Sequence, residues 1–168
     1  MVVAFVPFLV FCQALGALSG AFMAVWGELA YARARRDGKV DAAERAHLDA
    51  LAHGLRFGMT LVLLASFGLV VEAYRTGSSG QPALTTSYWT FILLALLVIV
   101  LSWLLSKRAL SFALGSAAIF TGWWFLAYLA LGWMPSLSFG AAVSIYVVVT
   151  AVVFAWLHYL RFFTTSFS

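Results

Sequence analysis

The sequence predicts an all-α integral membrane protein: a five-transmembrane-helix bundle with an extended cytoplasmic helical hairpin between helices 1 and 2. Three observations carry this. Hydrophobic residues make up 64% of the 168 residues and charged residues only 10%, with a mean hydropathy of +1.01. A soluble domain needs about 25% charged residues to coat its core. The apolar residues fall in five long runs, and the lysines and arginines cluster in the segments that join the runs at one end while nearly avoiding those at the other. All 168 residues are read as a single transmembrane domain.

The first span covers about 3–26. No Lys or Arg precedes Arg33 and the run is long, so it reads as a retained span, not a cleaved signal peptide with its basic head and short apolar centre. The cytoplasmic hairpin covers about 27–54. Asp37-Gly38 is expected to end its first helix, since glycine adopts the left-handed C-terminal conformation without penalty. Asp41-Ala-Ala-Glu44 then reads as a cap and its reciprocal partner opening the next helix. Each helix of the pair would run about 33 residues, or about 50 Å. The hydrocarbon core is about 30 Å thick, which leaves two to three turns of hairpin in water.

The remaining spans are about 55–71, 89–105, 109–133 and 139–157. A Gly/Ser-rich loop over 75–87, the Lys107-Arg108 turn and a turn at Pro135 separate them. Lipid cannot satisfy free backbone groups, so spans are helices or closed barrels. The continuous apolar runs lack the alternation of a barrel strand.

Placing 27–54 in the cytoplasm puts Arg33, Arg35, Arg36, Lys39, Arg45, Arg56, Lys107, Arg108 and Arg161 inside and only Arg75 outside. That asymmetry sets the N-terminus outside and the C-terminus in the cytoplasm. The expected location is a multi-pass position in a bacterial-type inner membrane. Trp26, Tyr31, Tyr74, Tyr88, Trp89, Trp133 and Tyr159 fall near the predicted water boundaries, where amphipathic rings settle. The net charge of +4 is accounted for by this retention of basic residues, and no nucleic-acid partner is inferred. The one cysteine, Cys12, excludes an intrachain disulfide and any thiolate cluster.

Membrane helices associate through small residues that let their backbones approach. Gly16 and Gly20 on the first span, Gly54 and Gly58 on the second, Gly115 and Gly122 on the fourth and Gly140 on the fifth are the expected helix-packing positions. Gly140, Ser144, Ala151 and Ala155 form one stripe, and extending it brings His158 onto the same face. The third span has no such stripe and is expected to be the most exposed to lipid.

Chemistry-bearing residues are few. His47, His53 and His158 all lie on the cytoplasmic side, and a histidine from each of two helices is the pattern of b-type haem ligation, so these three are candidate cofactor residues. Glu44 and His47, three apart on one helical face, are candidate metal ligands of the di-iron type, although the second such pair is missing. Otherwise Glu44 is a capping residue and His47 a solvent-facing stalk residue. Trp123, Trp124 and Tyr128 are candidates for an aromatic ligand pocket. Gln13 is the only strongly polar side chain deep in a span, which argues against a charge-lined path within one protomer.

The leading functional reading is a small polytopic membrane protein that is not an enzyme and acts through helix packing, as a homo-oligomer or with a membrane-protein partner in the lipid bilayer. The alternatives are a haem b or metal-binding membrane protein and a transporter or enzyme with an aromatic small-molecule pocket.

Overall fold

The computed structural model describes residues 5–36, 40–77, 80–134 and 137–166, and all regular structure among them is helical. Helix α1 (Phe5–Arg36) is followed by α2 (Val40–Gly54), a π-helical turn (Leu55–Met59) and α3 (Thr60–Arg75). A short 3-10 turn (Pro82–Leu84) leads into α4 (Thr86–Ser106), α5 (Phe112–Ala130) and α6 (Phe139–Ser166).

Both junctions of the π turn keep right-handed helical dihedrals, so α2 and α3 form one rod. Taken as the single helix Asp41–Arg75, it is one of five helices among the described residues that are long and apolar enough to cross a membrane. The second helix therefore runs through residue 54 without a break, as its expected length requires, with only a change in winding over Leu55–Met59. Asp41 lies in the first turn of α2 and not at its cap. The expected turns at Asp37-Gly38 and Pro135 lie outside the described residues.

Two helix ends explain where spans stop. Gly132 takes a left-handed φ of 67°, and the Gly132 and Trp133 N–H groups bond back to the Leu129 and Tyr128 carbonyls. This closes α5 three residues before the expected limit of 133 by a Schellman motif. Arg108 does the same for α4 at φ 56°, with Ala109 N–H reaching Leu104 O. Its neighbour Lys107 precedes it in the turn.

Helix α1 packs along the α2–α3 rod through glycines. A methyl on Gly58 would lie 2.6 Å from the Gly16 carbonyl oxygen, and one on Gly54 would lie 2.8 Å from Met23 Cβ. Gln13 Nε2 donates to Ser66 Oγ at 2.9 Å across the same interface. On its other side α1 meets α5, where Gly20 lies so close under the Trp123 ring that a methyl would overlap it. Helix α5 is the centre, with 61% of its apolar window buried.

Two expectations about the remaining helices are reversed. Helix α4 is not the most exposed: Thr90, Phe91, Leu94, Ala95, Val98, Ser102 and Leu105 form a buried stripe. Its large side chains fill the small stripe of α5, with Leu105 Cδ1 at 2.8 Å and Val98 Cγ2 at 2.5 Å from methyls placed on Gly115 and Gly122. A helix that supplies the knobs needs no small stripe of its own.

Helix α6 is the exposed one, with only 11% of its window buried. Its buried line is Ala142, Thr150, Leu157 and Arg161, with Tyr146 half-buried beside it. Gly140, Ser144, Ala151, Ala155 and His158 are exposed, and Gly140 meets nothing within 4 Å. The packed line is displaced two positions, about 200°, from the expected small-residue line. Polar groups set this rotation: Tyr146 OH donates to Ala118 O at 2.9 Å, and Arg161 is drawn inward by the partners described below.

Gly58→Ala is expected to destabilise the bundle by about 1–3 kcal/mol, because its methyl meets backbone that cannot move aside. Gly140→Ala should change stability by less than about 0.5 kcal/mol. Unfolding midpoints of the two purified variants in mixed micelles check the contrast.

Candidate functional site

At the end of the bundle near residues 28 and 161, side chains from four helices meet. α1 contributes Glu28 and Tyr31, α2 contributes His47, α5 contributes Phe112 and Ser116, and α6 contributes Arg161. The Arg161 guanidinium Nη2 donates to both Glu28 carboxylate oxygens, at 3.0 and 2.8 Å. The same nitrogen lies 2.8 Å from Ser116 Oγ. Side-chain exposure is 11% for Arg161 and 13% for Glu28, so the ion pair is largely withdrawn from water.

An aromatic clamp holds the pair. Tyr31 and Phe112 stack at 4.6 Å between ring centroids, and the guanidinium carbon lies 4.9 Å and 5.2 Å from them. Arginine suits this place, since its planar, weakly hydrated cation can lie against rings while its N–H groups bond a carboxylate.

His47 completes the cluster from α2. Its ring meets Phe112 edge-on at 5.0 Å and packs on Gly27, where a methyl would come within 3.0 Å of Nδ1. Neither ring nitrogen has a hydrogen-bond partner. Glu28 Oε1 is 3.9 Å from Nδ1, beyond hydrogen-bond range. The expectation of a solvent-facing His47 is thus corrected: the ring is buried, because the absent side chain of Gly27 leaves it a slot between α1 and α5.

The other candidates scatter. His53 is exposed, with Nδ1 2.7 Å from the Asp49 carbonyl one turn back on its own helix. His158 is exposed, stacks on Phe154 and lines a pocket of about 270 Å³ with Tyr31, Glu44, Phe112 and Arg161. His53 contributes nothing to that lining. Glu44 is half-buried and also borders a second pocket with Asp41, Arg45 and Arg108. Among the described residues no three His, Cys, Asp or Glu side chains gather as metal ligands would.

Trp124 and Tyr128 line an apolar groove of about 200 Å³ between α5 and α6, with Phe120, Phe125 and Val149. Trp123 faces the opposite way, fully buried on Gly20. The three aromatic candidates therefore do not share one cavity.

The Glu28–Arg161 pair was missed because its members are 133 positions apart and each reads alone as a rim residue. The available signal was Glu28 itself, the single carboxylate between the first apolar run and Arg33, which needs a cation if it is to enter the bundle.

Chemically, the cluster holds two opposite charges in a fixed direction. Taking two charges out of water costs several kcal/mol per ion, so such a pair is a weak source of stability but a stringent selector of register. Here it fixes the height and rotation of α6 against α1. No protein-family model matches the chain, and neither a curated protein nor a solved structure resembles it.

Removing one partner leaves the other charge largely buried without its counter-charge. Glu28→Ala is expected to destabilise the protein by about 3–5 kcal/mol. The double variant Glu28→Leu with Arg161→Met should recover most of that loss, as thermal unfolding in detergent would report.

Proposed function

We propose that this chain is a multi-pass membrane protein, with its N-terminus outside and its C-terminus in the cytoplasm, that acts by helix packing and not by catalysis. The α1–α2 pair forms its cytoplasmic hairpin. Helix α6 is the surface it offers to a second copy of itself or to another membrane protein.

One observation carries the reading. The small-residue faces of α1, the α2–α3 rod and α5 are already filled, by the opposing helix backbone, by Met23, by Trp123 and by the large residues of α4. Among the described residues, the small-residue line of α6 remains open: Gly140, Ser144, Ala151 and Ala155 are all exposed. In hydrocarbon a small stripe gains nothing from facing lipid tails, whereas it lets a second helix approach. The orientation is supported by nine basic residues on one side against Arg75 on the other.

Ser144→Leu combined with Ala151→Leu is expected to convert an oligomer to a monomer in mild detergent without lowering the unfolding midpoint. Native gels and light scattering test this, and a wild-type protein that is strictly monomeric in mild detergent and in nanodiscs overturns it. For the topology, a single cysteine at Lys107 should react with a membrane-impermeant maleimide only after the cells are opened. A cysteine at Thr76 should react in intact cells.

A further inference from the structure

His47 is buried with both ring nitrogens unpartnered, an arrangement that the structural role of the Glu28–Arg161 pair does not require. The groups that face it are few. Helix α1 presents Glu28 and Tyr31, α6 presents Arg161, and α5 presents the uncharged Phe112 and Ser116. Glu44 stands one turn back on its own helix, and His158 lies beyond Arg161 around the adjoining pocket.

A neutral imidazole leaves Glu28 to Arg161. An imidazolium has an N–H at Nδ1, 3.9 Å from Glu28 Oε1, and closing that gap by about 1 Å makes a charge-assisted bond. The same new charge repels Arg161. Both effects weaken the contact that holds the inner end of α6 to α1. That contact sits at one end of an existing cleft of about 360 Å³ between the two helices, lined by Val25, Leu29, Trp156 and Leu160.

We propose that His47 is a proton-responsive latch: on taking up a proton from water it draws Glu28 from Arg161 and frees α6 from α1, widening this cleft. The proposal stands whether or not α6 also contacts a second copy. Residues 27–54 lie outside the apolar runs, and there burial pushes the His47 imidazole below its ordinary range, with the Glu28 charge and the Gly27 backbone opposing and the Arg161 charge adding to that shift. The sign follows. The closed arrangement is at full strength above about pH 6.5, the free histidine value, and is lost as pH falls through the lowered value in the folded protein.

The test places nitroxide labels on cysteines at Leu29 and Leu160, which face each other across the cleft, in a Cys12→Ala background in nanodiscs. Spin–spin distances are measured from about pH 7.5 to about pH 5, the range in which histidine titrates. The long-distance population should rise several-fold on acidification, and this rise should vanish in His47→Gln and in the ring-shaped but non-titrating His47→Phe. A distance that does not change with pH overturns the latch. So does a change that survives both substitutions, which would assign the proton to a carboxylate.

Discussion

The bundle depends on close approach between helix backbones that have almost nothing but apolar surface to offer each other. Faces like these are held by dense van der Waals contact, and that requires one partner to be thin. The interfaces of α1, the α2–α3 rod, α4 and α5 each place a glycine at the closest approach. Gly16 faces Gly58, Gly20 carries the Trp123 ring, Gly27 carries His47, and Gly115 and Gly122 receive Leu105 and Val98. The order of the helices follows: the α2–α3 rod lies on α1, α1 on α5, and α4 on the second face of α5.

Helix α6 obeys a different rule, and this sets it apart. It brings little small-into-large packing to its neighbours, and its inward line ends in polar groups, Tyr146 on the Ala118 carbonyl and Arg161 on Glu28. Directional bonds fix its rotation where shape does not. A helix oriented chiefly by two polar points can be shifted by changing one charge, whereas moving α1 against the α2–α3 rod would disturb a whole interlocked face. The one buried histidine lies beside one of those two points.

Much of the architecture was legible in the sequence. Helix number, approximate limits and the glycines of α1, the rod and α5 follow from run length and spacing. Less legible was which stripe each helix buries. The rule that small residues mark the packed face places Gly16, Gly20, Gly54, Gly58, Gly115 and Gly122 against neighbours in this chain, and it points the wrong way for Gly140 and His158 on α6. It also misjudges α4, because it describes the helix that offers holes and not the helix that fills them. His47 looked like a stalk residue because the slot that receives it belongs to Gly27, twenty positions earlier on another helix.

The sequence by itself determined an all-helical chain with five long apolar helices, since run length and composition respond to the solvent around a helix and need no knowledge of its neighbours. Only the tertiary structure decided that Glu28, His47, Ser116 and Arg161 share one enclosure and that the small residues of α6 face outward. Contacts between helices depend on rotation about each axis, and here that rotation is chosen by a few polar bonds between residues far apart in the chain.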